Sequence, residues 1–138
     1  MKIQYTNCKN KNTKFSIEEN TNLKHKYSFT ITFGKKEVNF MEKFKSLVEV
    51  LDKIGLIVEV DAICGKNRKE GTYHKISNIW HFHGIIQSNK KIQLKDFHAL
   101  NKTEHILLIK ELDTKVYEEN FINYCNEYHT IGHIFKVE

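Results

Sequence analysis

Proline is absent from the 138 residues of this chain, and cysteine occurs only three times. Cys8, Cys64 and Cys125 are far apart and odd in number, which excludes a disulfide framework and a CxxC zinc pair. No apolar run approaches the roughly 20 residues that a transmembrane helix needs. The polar residues 1–14 lack the apolar centre of a secretory signal peptide. We therefore expect a soluble intracellular protein with no membrane partner.

The charge of the chain is unbalanced. It has 22 lysines and arginines against 17 acidic residues, which gives a net charge of +5, and nearly all the positive charge is lysine. A basic chain favours an anionic partner, of which nucleic acid is the commonest. The abundance of Lys, Asn and Ile and the absence of Pro also fit an AT-rich genome, so charge alone leaves both explanations open.

The chain has the length of one domain, residues 1–138. Residues 1–24 are polar and predict a flexible N-terminal arm or an irregular edge segment. Hydrophobic periodicity then predicts an α+β fold, with packed helices on a single antiparallel sheet of about five strands. The predicted strands are 26–33, 56–64, 78–87, 105–110 and 131–137, the helices are 40–53 and 115–128, and a partly helical connection lies near 94–100.

Two histidines alternate with one phenylalanine in the third predicted strand, as His81-Phe82-His83. Side chains alternate faces along a strand, so both imidazoles lie on one face and provide half of a metal site. Glu59 and Asp61 share a face in the preceding strand, and one of them is the expected third ligand. The alternative is that both carboxylates only form the solvent face of a half-buried strand.

The last predicted helix carries an aromatic stripe. Tyr117 and Phe121 are best explained as core residues, whereas Tyr124 and Tyr128 carry hydroxyls that must be bonded or exposed. A tyrosine on a helix that packs over a metal site can attack a phosphodiester.

Three segments, in this order, resemble the motifs of the HUH endonucleases. The resemblance is to the replication initiator (Rep) proteins of phages, plasmids and single-stranded DNA viruses that use rolling-circle replication. Residues 27–33 (YSFTITF) are similar to the first Rep motif, and His81-Phe82-His83-Gly84 to the histidine motif. Tyr124-Cys125-Asn126-Glu127 is similar to the YCxK tyrosine motif. The resemblance implies a ferredoxin-like or RRM-like fold across roughly the whole chain.

The resemblance also implies a metal-dependent, site-specific nickase that cuts and rejoins single-stranded DNA. In this family His81, His83 and Glu59 or Asp61 would hold Mn²⁺ or Mg²⁺. Tyr124 would form a covalent 5′-phosphotyrosine intermediate that initiates replication. Tyr128 is the alternative nucleophile, because the two tyrosines also fit the Tyr-x-x-x-Tyr spacing of two-tyrosine members.

The implied partners are single-stranded or hairpin origin DNA and a host helicase, with no small-molecule cofactor. The implied location is the cytoplasm of the host cell, or the nucleus for a eukaryotic virus. A basic loop between the second and third strands is expected to grip the DNA by charge and stacking, although a solvated hairpin tip explains it equally well. Its proposed DNA-binding residues are Lys66, Arg68, Lys69, Tyr73 and Lys75.

One departure from the family pattern concerns the tyrosine motif. Glu127 stands where the family has a lysine that helps to position the phosphate, and Lys26, Lys110, Lys136 or His129 are the candidates to replace it.

Two other functions remain open: a small single-tyrosine HUH transposase, and a non-catalytic ferredoxin-like module that binds nucleic acid. A three-histidine zinc lyase needs a longer chain.

Overall fold

The computed structural model describes residues 2–7, 14–34, 36–65, 80–93, 95, 106–128 and 133–137. These ranges contain six strands and two helices, and every segment predicted as a strand or long helix overlaps one of them. In chain order they are β1 (Ile3–Asn7), β2 (His25–Gly34), α1 (Phe40–Lys53), β3 (Val58–Gly65), β4 (Trp80–Ser88), β5 (Ile106–Glu111), α2 (Lys115–Tyr128) and β6 (His133–Val137).

All six strands form one antiparallel sheet in the order β1-β6-β3-β4-β2-β5. The predicted α+β class with a single antiparallel sheet is therefore confirmed. The sheet has six strands because Ile3–Asn7, inside the segment predicted as a flexible arm or an irregular edge segment, pairs with β6 as a regular edge strand. A regular strand was not predicted here, because an edge strand with mostly exposed side chains has no buried face to impose alternation.

Both helices begin and end where the periodicity predicted. The Asn39 side chain caps α1 by accepting a hydrogen bond from the backbone N–H of Glu42 at 3.2 Å. Gly55, with φ of 78°, follows the end of α1 in the left-handed conformation that glycine adopts readily. The predicted helical connection near 94–100 and the basic loop of residues 66–75 fall outside the described residues, apart from Lys95.

The two faces of the sheet differ in chemistry. The face under α1 is apolar and packs around buried residues such as Phe44, Phe82 and Phe135. The opposite face carries polar side chains from the central strands and is crossed by α2. There a small apolar cluster joins the helix to the sheet through Phe15, Ile63, Cys125 and Ile134. Among the described helices, neither is long and apolar enough to cross a membrane.

Gly84, beside the histidines, leaves room for the Phe29 ring of β2 and for the backbone of β3. A Cβ at this position would collide with the Phe29 ring and with the backbone carbonyl oxygen of Asp61. Both obstacles lie in the buried centre of the sheet, where neighbouring groups have little room to move. The glycine of the His-Phe-His-Gly motif is therefore required by packing.

We expect Gly84→Ala to lower the free energy of unfolding by roughly 1–3 kcal/mol, the usual cost of overpacking a core. Urea unfolding followed by circular dichroism measures this. In a Phe29→Leu background, Gly84→Ala should lower the free energy of unfolding by less than it does in the wild type, because the ring is one of the two obstacles. Equal stability of Gly84→Ala and the wild type would contradict the steric explanation.

Candidate active site

β4 places the two histidines at the centre of the polar face. His81 and His83 are both buried, and their ring centroids lie 4.6 Å apart in an edge-to-face arrangement. The His83 Nδ1 atom and the Thr30 hydroxyl oxygen of β2 lie 2.8 Å apart, within hydrogen-bonding distance. A hydrogen bond at one ring nitrogen orients an imidazole and leaves the other nitrogen to bind a ligand or metal. Thr30 therefore directs His83 Nε2 toward the candidate site.

Helix α2 brings a tyrosine against this pair. The Tyr124 ring lies 5.3 Å from the His83 ring, centroid to centroid and nearly perpendicular to it, and the Phe121 ring lies 6.0 Å from the same imidazole. Tyr124 is only half-buried, so its position combines contact with the histidine and access to solvent. The structure thus joins two motifs that are 41 residues apart in the chain.

The two candidate carboxylates lie on one face of β3, as their parity predicted. The pairing with β4 makes this the face of the histidines, but the carboxylates lie further along the sheet. The register pairs Asp61 with Ile85 and Glu59 with Gln87. Ile63, not a carboxylate, stands opposite His83. A diagonal neighbour two residues along lies roughly 7–8 Å away, so Asp61 is the nearer of the two candidates.

Both carboxylates already have partners. The Lys136 ammonium donates to Asp61 at 2.9 Å, and the Asn20 amide donates to Glu59 at 2.7 Å. Burial raises the pKa of Asp61, and Lys136 only partly opposes this effect, while the nearby carboxylates of Glu59 and Glu18 raise the pKa further. These groups line a polar groove of about 300 Å³ together with Ser16 and Lys136.

The donor set for a metal is therefore incomplete in the part of the chain described. Within these ranges no group of three His, Cys, Asp or Glu side chains is close enough to hold an ion. His81 and His83 fit two positions of a divalent ion. Asp61 would have to move closer to the imidazoles to complete a third position.

The lysines proposed to replace the missing motif lysine are used in different ways. Lys26 bonds to Glu118 at 2.9 Å and to Glu19 at 3.1 Å, and Lys136 bonds to Asp61. Lys110 is exposed, with its Nζ atom 4.8 Å from the centre of the Tyr117 ring.

His129 and the side chains of Glu127 and Tyr128 are not among the described parts, and neither are the five loop residues proposed to bind DNA.

Two contacts that sequence reasoning missed hold α2 in place. Near its start, the side chain of Glu118 forms the ion pair with Lys26 of β2. Near its end, the Asn126 side chain accepts from the backbone N–H of Phe15 at 2.7 Å and donates to the carbonyl oxygen of Phe15 at 2.9 Å. Tyr124 lies between these two contacts, which therefore set its position over His83.

Residues 14–20, which we call the strap, lie along the Asn126 side of α2. Besides Phe15, the strap offers the carbonyl oxygens of Ser16 and Glu18 to Lys136 and Gln87. Each contact spans more than 65 residues of sequence, so no local pattern could reveal it. This part of the predicted flexible arm is fixed to the sheet.

Cys125, the residue after the tyrosine, does not contribute a nucleophile. Its side chain is fully buried in the small apolar cluster. Burial raises the pKa of the Cys125 thiol far above its usual value, so the reactive thiolate is not formed at neutral pH. Its place in the motif is explained by packing.

No family model matches the chain, and no curated protein matches it. A solved structure does match, that of the hypothetical protein ORF119 from Sulfolobus islandicus rod-shaped virus 1. The similarity covers 75% of this chain and 81% of the viral protein, with 18% sequence identity and a TM-score of 0.50. At this identity the similarity supports the α+β architecture and carries no information on activity.

We expect Lys26→Met to cost roughly 3 kcal/mol of unfolding free energy, because it leaves the buried Glu118 carboxylate without its cation. Lys26→Met/Glu118→Leu should recover most of this loss. Lys115→Met, which removes an exposed contact of 3.8 Å to Glu19, is the control and should change stability by less than about 0.5 kcal/mol. Equal effects of the two lysine substitutions would contradict a structural role for Lys26.

The same ion pair should give a pH dependence. Burial lowers the pKa of Lys26, but the hydrogen bonds to Glu118 and Glu19 outweigh burial, and the net shift is upward from 10.5. The stabilisation is therefore complete below the ordinary pKa of 10.5 and lost as the pH rises through the higher folded-state pKa. In urea unfolding at a series of pH values, the free energies of unfolding of the wild type and of Lys26→Met should converge above that pKa.

Proposed function

We propose that the protein is a DNA nicking and joining enzyme of the HUH type, in which Tyr124 is the nucleophile. The observation that carries the proposal is the contact between the Tyr124 ring and the imidazole of His83, 5.3 Å apart between centroids. The geometry adds support to the motif resemblance, because matching the motifs along the chain does not require that the tyrosine helix crosses the face of the histidines.

In the proposed reaction the Tyr124 phenol oxygen attacks the phosphorus atom of a single-stranded phosphodiester. A phosphorus–oxygen bond to the tyrosine forms, and the bond to the 3′ oxygen breaks. The phenol proton is lost to solvent or a base, and the departing 3′ oxygen takes up a proton to become a hydroxyl. The free 3′ hydroxyl is the end from which rolling-circle replication would start, and reversal of these steps rejoins the strands.

His81 and His83 would hold the divalent ion, Mn²⁺ or Mg²⁺, with Thr30 orienting the second imidazole. When bound, such an ion polarises the phosphate and stabilises negative charge developing on its oxygens. Asp61 is the better of the two carboxylates for a third position. It pairs with Ile85, two residues from His83, whereas Glu59 pairs with Gln87, two residues further along β4. In the present arrangement neither carboxylate is close enough to the imidazoles to share an ion with them.

One observation favours a second function, a non-catalytic module that binds single-stranded nucleic acid. Among the described residues, no third His, Cys, Asp or Glu side chain lies close enough to His81 and His83 to complete a metal site. If the histidines serve only to pack β4 against α2, the protein would bind DNA without cutting it. A single-tyrosine transposase would use the same residues as the nickase and differs in its DNA substrate.

Covalent attachment tests the nickase proposal. Incubation with Mn²⁺ and a pool of single-stranded oligonucleotides should give a protein–DNA adduct that survives a denaturing gel. Tyr124→Phe should abolish the adduct because it removes the attacking oxygen while keeping the ring. Tyr117→Phe, on the same side of the same helix, is the matched control and should retain adduct formation.

The alternatives give different results in the same assay. If Tyr124→Phe still forms the adduct and Tyr128→Phe does not, Tyr128 is the nucleophile. DNA binding without an adduct from any oligonucleotide, unchanged by His81→Ala and His83→Ala, would support the binding module and reject the nickase.

Metal binding can be measured without DNA. Titration calorimetry should detect Mn²⁺ binding that is lost in His83→Ala and weakened roughly tenfold in Thr30→Val, because Thr30 orients the ligand. Thr6→Val, on the exposed edge strand β1, is the control and should bind like the wild type. Undiminished binding in His83→Ala would remove that histidine from the site.

A further inference from the structure

An exposed surface of aromatic, apolar and basic character lies beside the candidate site. Half of the Tyr117 side chain is exposed, and Leu108 of β5 is 64% exposed. The Lys110 ammonium lies over the Tyr117 ring. We call Leu108, Lys110 and Tyr117 the β5 surface. The large exposed side chains of a small protein are informative when they cluster next to a polar site.

The β5 surface is continuous with the candidate site. Leu108 is paired across the sheet with Thr30, the residue that bonds His83. Tyr117 and Tyr124 are seven residues apart on α2, which is nearly two turns, so they lie on the same side of the helix about 10 Å apart along its axis. A ligand that touches Tyr117 can therefore extend along the helix to Tyr124.

The strap occupies the other side of α2. Asn126 bonds to both backbone polar groups of Phe15, and Phe15 is buried in the small apolar cluster. Lys136 and Gln87 anchor the next strap residues to the sheet. In the described part of the chain, the strap therefore covers one flank of the helix, while the β5 flank presents exposed side chains.

We propose that single-stranded DNA reaches Tyr124 over the β5 surface, with a base stacked on Tyr117 and a phosphate bound by Lys110. This inference rests on the proposed function and names the surface that delivers its substrate. Aromatic stacking suits every base and requires an unpaired strand. Lys110 supplies the cation for the backbone phosphate. The cation and the aromatic ring are already in contact, so one nucleotide can engage both.

The structure provides matched controls for a binding test. Tyr5 is 46% exposed, nearly the same as Tyr117, but belongs to the α1 face of the sheet, where it contacts Phe135. Lys45 is an exposed lysine on α1. Neither control lies on the β5 surface, so each removes the same chemical group without touching the proposed path.

The probe is a fluorescein-labelled oligo(dT) of roughly 16 nucleotides, followed by fluorescence anisotropy. Tyr117→Ala should raise the dissociation constant roughly tenfold, within the range that one stacked base contributes. Lys110→Ala should lower the magnitude of the slope of log K against log salt by about 0.7, the value for one phosphate contact with a single strand. Tyr5→Ala and Lys45→Ala should leave both quantities at wild-type values.

Equal effects in the Tyr117 and Tyr5 variants, or in the Lys110 and Lys45 variants, would overturn the inference, as would no binding by the wild type at low salt. Its failure is separable from that of the nickase proposal. A wild-type adduct with unchanged binding in Tyr117→Ala and Lys110→Ala rejects the path and keeps the nickase. Weakened binding in these variants with no adduct in any assay keeps the path and rejects the chemistry.

Discussion

β4 is hydrogen-bonded on both sides, to β2 and to β3, and this double pairing fixes the face on which its side chains lie. A slip of one residue would move His81 and His83 into the apolar core and Phe82 onto the polar face. The close contact at Gly84 and the burial of Phe82 oppose such a slip. The position of the histidines is therefore a consequence of packing on the opposite face.

Helix α2 depends on that arrangement in turn. It has few apolar side chains to bury, since only Cys125 among its described residues is a fully buried hydrophobic one. Polar contacts near its two ends therefore attach it to the rest of the protein: the ion pair of Glu118 with Lys26, and the two hydrogen bonds of Asn126 with Phe15. A helix held in this way keeps Tyr124 at a defined place without a large buried apolar face of its own.

The sequence predicted what depends on periodicity and failed where long-range register decides. The parity of Glu59 and Asp61 correctly placed them on one face of their strand, because parity follows from the pleat alone. Their distance from His83 could not be predicted, since a register shift of two residues preserves the face and changes every neighbour. Likewise, Lys26 and Glu118 are 92 residues apart, and only the folded sheet shows that they meet.

The distribution of positive charge follows from these contacts. Lys26 and Lys136 both lie on the polar face, yet each is paired with a carboxylate that the fold has placed beside it. Their charge is largely neutralised locally, so neither contributes much attraction for a phosphate near Tyr124. Lys110 differs because its neighbour is an aromatic ring, which leaves its charge uncompensated at that contact. Among these three lysines, the attraction of the polar face for an anion is therefore concentrated on its β5 side.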